Sequence, residues 1–342
     1  MKKKLGIAAV IVLLLGLLIA WQGYKAIYTD NIADSAPEYI IIPQGSDYSD
    51  VVRILEDEKV LRDHKSFDLV ASLMKYGDGK VKAGKYKLDK SWGNRSLISV
   101  LRAGRQVPVN VTFNNHRTIE ETLGTIAKYI EPDSIELVES ILSQDVFANY
   151  GYTKEDILTL FIPNTYQIYY NYTPQQLLDR MQSEHEKFWN NAGRLQKAET
   201  LGLSTKEVYT LASIVEKESQ AAKERPIIAG LYLNRLQRGI PLQADPTVVY
   251  AVGDFSIRRV LNKHLAHESP YNTYKHGGLP PGPIYLPSIE SIDAVLNPTK
   301  HDYLFMCAKP GYNSEHAFAK TVAQHNRNAN IYRKWLTSQG IR

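Results

Sequence analysis

Two glutamates close an apolar run, Leu211-Ala-Ser-Ile-Val-Glu-Lys-Glu218, and their spacing decides what each can do. Residues two apart on a helix point about 200° apart, so Glu216 and Glu218 cannot serve one pocket. Leu211, Ile214 and Val215 define the buried side. Glu218 follows Leu211 by seven and Ile214 by four, which keeps it on that stripe, whereas Glu216 falls on the flank. A glutamate on an apolar stripe loses solvation, its pKa rises, and part of it stays protonated near neutrality. That is the property of a general acid. The alternative is an ordinary helix-end glutamate paired with Lys217, Lys223 or Arg225, and on the pattern alone both readings stand.

Other chemistries find less. His264-x-x-His267 could share a helix face, but there is no HExxH and no nearby third ligand, so no metal is expected. Gly79–Tyr86 is one residue from a P-loop, with Tyr86 where a magnesium-holding hydroxyl residue belongs. No GxSxG occurs, and the single cysteine, Cys307, excludes an intrachain disulfide, a four-cysteine zinc site and a CxxC pair. No cofactor is expected.

The elements that must position Glu218 follow from hydrophobic patterning. The chain has 342 residues, 44% hydrophobic and 23% charged, with 41 Lys and Arg against 36 Asp and Glu. Lys2, Lys3, Lys4 and Lys25 supply four of the five surplus charges, so the body is close to neutral and offers no broad basic field for nucleic acid. Residues 5–24 form an apolar run ending in Trp21 and Tyr24, with lysines before it and no small-x-small cleavage site after it. This predicts an uncleaved, single-pass inner-membrane anchor with a cytoplasmic N-terminus and an exported body, beyond the reach of ATP and NAD.

The expected organisation is α+β: a cytoplasmic tip and transmembrane anchor over 1–24, a polar linker over 25–38, a small α+β module over 39–105, and a larger mixed α/β catalytic domain over 106–342. In the module, Tyr39–Pro43 reads as a strand, Gln44–Asp47 as a turn, and Ser49 as the cap of a helix. Helices near 64–75 and 94–102 and a strand near 84–88 complete it. Its order after an Ile-Pro-x-Gly-Ser start resembles the LysM-like modules that bind glycan chains. Further on, helices are expected near 119–130, 134–142, 174–192, 205–218 and 226–238. Residues 267–287 hold five prolines, three glycines and three tyrosines, the composition of a cleft built from loops.

Beyond Glu218, several runs in order resemble the endolytic murein transglycosylases, the MltG or YceG-like family: Asn234-Arg-Leu236, Leu242-Gln-Ala-Asp-Pro-Thr247, Tyr271-Asn-Thr-Tyr274 and Gly278-Leu-Pro-Pro-Gly-Pro-Ile284. Phe161-Ile-Pro-Asn-Thr-Tyr166, His316-Ala-Phe318 and His325-Asn326 also fit, and the likeness reaches from the anchor to about residue 335. Ser219 stands where many members have Thr or another small residue. The resemblance implies a membrane-anchored lytic transglycosylase that cuts nascent peptidoglycan glycan strands endolytically at the MurNAc–GlcNAc β-1,4 bond. It would leave 1,6-anhydro-MurNAc ends, terminate strand elongation, and work beside cell-wall synthases (penicillin-binding proteins). It makes Glu218 the catalytic glutamate. Gln243, Asn272 and Tyr274 are the expected substrate contacts, against the alternative that they brace loops. Asp245, before Pro246, reads as a turn former. A muramidase using Glu218 with Asp245 or Glu224, or a non-catalytic glycan-binding scaffold, are the competing functions.

Overall fold

The structure, a computed structural model, describes residues 2–79, 81–219, 221–311 and 315–340. It divides into two compact units. One takes in the chain up to Val111 with the segments 129–132 and 166–172; the other holds Thr112–Lys128, Asp133–Thr165 and the chain from Thr173 onward.

The first unit begins with helix α1 (Lys2–Tyr28), whose stretch Ala9–Tyr28 is long and apolar enough to cross a membrane; only its end, at Ala26 and Ile27, packs on the protein. Strand β1 (Tyr39–Ile42) follows, then α2 (Tyr48–Asp57), α3 (His64–Leu73), β2 (Gly84–Lys87) and α4 (Asn94–Ala103). β1 alternates, with Ile40 and Ile42 buried and Tyr39 and Ile41 exposed, and pairs antiparallel with β2 in the register Ile40↔Tyr86. Asp47, not Ser49, caps α2: its carboxylate accepts from the Asp50 N–H, and Asp50 returns the bond to the Asp47 N–H. Ser49 instead donates its hydroxyl to Asp47. Gly84 of the P-loop-like run opens β2, and Lys80 lies outside the described residues.

The expected linker over 25–38 is a correction. These residues are built into the unit: Ile32 is fully buried, and Ala26, Ile27, Ala33 and Ala36 pack on the same core. The backbone of Asn31 donates to Trp92 O and accepts from Arg62 N, while its amide donates to Asn94 Oδ1 at 2.7 Å. Asn94 in turn donates to Ala26 O at the end of α1. A side chain at Gly93 would place a Cβ 2.9 Å from the Thr29 carbonyl oxygen, so glycine is what lets this segment lie against α1. The turn after β1 is clipped to the later segments by Gln44, whose N–H donates to Glu131 Oε1 and whose amide donates to Asn171 O.

Strand β3 (Val109–Phe113) leaves the first unit. The second unit contains α5 (Ile119–Ile126), α6 (Ser134–Ile141), α7 (Gln144–Asn149), α8 (Pro174–Asn190) and α9 (Arg194–Leu201); β4 (Asn164–Ile168), paired with β3, has its first two residues in this unit and its last three in the first. Then come α10 (Thr205–Glu218), α11 (Arg225–Gln237), α12 (Asp245–Val252), α13 (Asn262–Leu265), α14 (Ile289–Leu296), the antiparallel pair β5 (Phe305–Ala308) and β6 (His316–Ala319), and α15 (Val322–Ser338). α10 is the central rod. Ser204 and Glu207 form its capping box, every residue from Val208 to Val215 is buried, and α9, α11, α12 and α14 surround it.

Candidate active site

α10 stops at Glu218 because Ser219 turns to extended backbone. The two glutamates part as their spacing predicts. Glu216 faces α14, where it accepts from Ser288 Oγ at 2.6 Å, from the Ser291 hydroxyl, and from Arg225 Nη2 at 3.1 Å. It is a structural carboxylate that ties the start of α14 to α10. Glu218 pairs with none of Lys217, Lys223 and Arg225. Its Oε1 accepts from the hydroxyl of Tyr232 on α11 at 2.5 Å.

Burial pushes the Glu218 carboxyl from its ordinary 4.5 up to about 7, and the charge of Asp245 adds to the rise. The Tyr232 hydrogen bond and Arg235 pull the other way. The C-terminal end of α10 also disfavours a carboxylate charge. Arg235, itself buried, is held by the carbonyls of Leu304, Pro241 and Leu242 and donates to Gln243 Oε1 at 3.2 Å.

Glu218 borders two cavities. One, of about 220 Å³, is walled by Tyr232, Arg235, Gln243, Tyr274, Cys307 and His316. The other, of about 570 Å³, opens along Lys217, Val249, Tyr250, Phe255 and Ile284. Glu218, Asp245 and Ala308 border both, so they stand where two arms of one cleft meet.

The loop over 267–287 is irregular as its composition predicts, and it is pinned at defined points. Ile284 N–H donates to Ser213 Oγ on α10, and Leu286 N–H donates to His116 O. At Gly282 a Cβ would lie 1.9 Å from the Glu155 carbonyl oxygen, so no side chain fits that crossing. Tyr274 faces the smaller cavity and donates its hydroxyl to Asp245 Oδ1 at 2.6 Å. Gln243 lines the same cavity with a left-handed backbone, φ 50°. Asn272 is fully buried, its amide donating to Leu265 O and His267 O and its Oδ1 accepting from Tyr274 N–H. It has no surface to offer a ligand and acts by shaping the loop that carries Tyr274, which corrects its expected role. Asp245 is corrected as well. It is the first residue of α12, followed by Pro246 in the first turn, and its carboxylate faces the cleft. Glu224 is buried away from the cleft, accepting from Ser219 Oγ, His316 N–H and His316 Nδ1 at 2.8 Å.

A family model described as the YceG-like family matches residues 40–331. The chain belongs to the YceG-like family. A relative from Bacillus subtilis, named endolytic murein transglycosylase, is 33% identical over 306 residues, covering 84% of this chain and 82% of the relative. A Streptococcus pneumoniae protein of the same name is 30% identical over 84% of this chain, which spans 57% of that longer relative. A crystal structure of a yceG-like protein from Listeria monocytogenes matches with a TM-score of 0.54 at 29% identity, over 85% of this chain and 98% of that one. The motif runs quoted from the sequence lie within the stretch that the YceG-like model covers.

Of three further residues at the YceG-like site, Tyr232 lies outside the quoted motif runs, and Arg235 and His316 enter only as members of them. Tyr232 and Arg235 sit three apart on α11, the spacing of one helix face, and that was the available signal. His316 had been noted only as part of a motif; it pairs opposite Ala308 across β5 and β6, which brings it to the cavity wall.

Proposed function

We propose that this YceG-like protein is a lytic transglycosylase that cleaves peptidoglycan glycan strands at the MurNAc–GlcNAc β-1,4 bond. The observation that carries the reading is Glu218: one partly buried carboxyl, raised to about 7, where the two arms of the cleft meet. Protonated Glu218 gives its proton to the departing glycosidic oxygen. The C6 hydroxyl of the same muramoyl residue attacks C1, and its proton passes to Glu218, which closes the 1,6-anhydro ring and restores the acid. Intramolecular attack replaces a bound water, so no second carboxylate is required. Tyr232 keeps the ionised form oriented between the two transfers. Space on both sides of Glu218 suits a strand lying across the site, in keeping with internal cutting. Gln243 and Tyr274 are the proposed sugar contacts.

Asp245 keeps one competing reading alive, since it borders both cavities beside Glu218. A muramidase would use it as nucleophile or base. Incubation with purified glycan strands separates the two by product mass: the transglycosylase leaves 1,6-anhydro ends, one water lighter than hydrolytic ends. Glu218→Gln is expected to abolish cleavage while strand binding persists. Reducing ends from the wild type, together with an inactive Asp245→Asn, would instead establish the hydrolase.

The proposal extends to the N-terminal part. Helix α1, a candidate membrane span flanked by Lys2–Lys4, anchors the protein in the inner membrane with its N-terminus cytoplasmic and residues 25–342 exported. Residues 39–105 form a LysM-like glycan-binding module, and 106–342 the catalytic domain. The order β1-α2-α3-β2 supports this reading of the module, as does a cavity of about 630 Å³ beside Tyr48 and Tyr76. Position beside cell-wall synthases, and the ending of strand growth, complete the proposal. A mature N-terminus beyond residue 25, read by protein sequencing, would overturn the anchor.

A further inference from the structure

The larger arm of the cleft carries charge that the cleavage reaction does not use. Arg117, Lys217, Arg258 and Arg259 all line it. Three other partly buried cations in the same unit have carboxylate partners: Arg225 with Glu216, Arg194 with Asp293, and Lys206 with Asp156. Among the described residues none of the four cleft cations has a carboxylate partner. Arg117 instead lies over the ring of Phe255 at 4.3 Å, and Lys217 over Tyr285 at 4.5 Å. Ring faces hold these two cations in place while leaving their charge available. Burial and the proximity of Arg117 both lower the pKa of Lys217, and they outweigh the opposing pull of Glu216.

A β-1,4 chain of N-acetylated sugars is neutral along its backbone. On a muramoyl strand the negative charge sits on the 3-O-lactyl substituent, either as its own carboxylate or on a peptide attached there. We propose that this arm binds the carboxylates carried by the muramoyl 3-O-lactyl substituent, so that the enzyme selects anionic strands and sets which sugar lies over Glu218. The inference rests on the glycan-cleaving reading above. Exposed Arg258 and Arg259 receive the anion at the mouth, and half-buried Arg117 and Lys217 receive it nearer Glu218.

The test uses the full chain in detergent with Glu218→Gln, which holds strands without turnover. Binding is titrated for denuded strands, whose charge is the lactyl carboxylate, for peptide-bearing strands, whose charge lies on the peptide, and for each after its carboxylates are converted to methyl amides. Adding Arg258→Ala and Arg259→Ala, or separately Lys217→Gln, is expected to weaken binding about tenfold or more to a charged strand and to flatten its salt dependence. Binding to the neutralised strands is expected to stay the same. Whichever charged strand responds identifies the lactyl or the peptide source. Equal affinities across all variants for charged strands, or an equal loss on neutralised ones, would overturn the inference. Wild-type product mass is read in parallel: charge-dependent binding without 1,6-anhydro products would sink the transglycosylase reading and leave this one standing.

Discussion

Glu218→Gln has a consequence for folding that is separate from its effect on cleavage. The folded protein holds this carboxyl at about 7 against an ordinary 4.5. A raised folded-state value means that the folded state binds its proton more tightly than the unfolded chain does. The stability that goes with the neutral carboxyl is therefore complete below pH 4.5 and is lost as pH rises through about 7. At about 1.4 kcal/mol for each pH unit, the loss amounts to roughly 3 kcal/mol. Glutamine fills the same space, can accept the Tyr232 hydroxyl, and never ionises. Unfolding by urea at pH 4 and pH 8 should show the variant gaining about 3 kcal/mol on the wild type between the two. At pH 8 the Glu218→Gln variant should be the more stable one. A difference between the two proteins that is the same at both pH values, or that favours the wild type at pH 8, would refute the buried-acid argument, whatever happened to activity.

Tyr232→Phe removes the hydrogen bond that favours the ionised form of Glu218, so its pKa should rise further. The alkaline limb of the pH–rate profile should then move up by about one unit, and a downward move would contradict the arrangement. Glu216→Ala leaves Arg225 and the Ser288 and Ser291 hydroxyls without their shared acceptor. A cost of about 3 kcal/mol in chemical denaturation is expected, with Glu216→Gln recovering part of it. Gly282→Ala drives a Cβ into the Glu155 carbonyl, so thermal melting should fall by an amount equivalent to about 1–3 kcal/mol and kcat/KM should fall with it. An unchanged melting temperature would mean that the loop passes Glu155 less closely than described.

What the sequence made legible was local. Glu218 stood out because a 3.6-residue period needs only the ten residues before it, and the same rule separates it from Glu216. Helices α5, α6, α8, α10 and α11 follow from caps and apolar stripes of that kind, whereas the short α7 and α9 do not. What stayed hidden depends on partners far along the chain. Residues 25–38 look like a linker because Ile32 and Ala36 are sparse among polar neighbours. Their burial comes from backbone bonds to Val60 and Trp92, which no local pattern announces. Asp245 was read as a turn former because Asp-Pro also opens turns; Gly253 at the far end, closing α12 in the left-handed region, was the missing half of the helix signature. At Asn272 a ligand contact and a loop brace stay open in the sequence, because an exposed loop amide and a buried one read alike. Tyr232 needed knowledge that α11 lies against the end of α10.

The lock between the end of α1 and Asn31, Gly93 and Asn94 changes how an anchored protein explores its surroundings. Had residues 25–38 been slack, a chain of that length would wander over roughly 20 Å, and the module would search a volume above the bilayer. Helix and module are instead packed as one compact unit. Where α1 crosses a bilayer, the module stands at one height and one azimuth, and a turn of the helix about its own axis swings it through the same angle. Its search in that case is two-dimensional, set by lateral drift in the membrane.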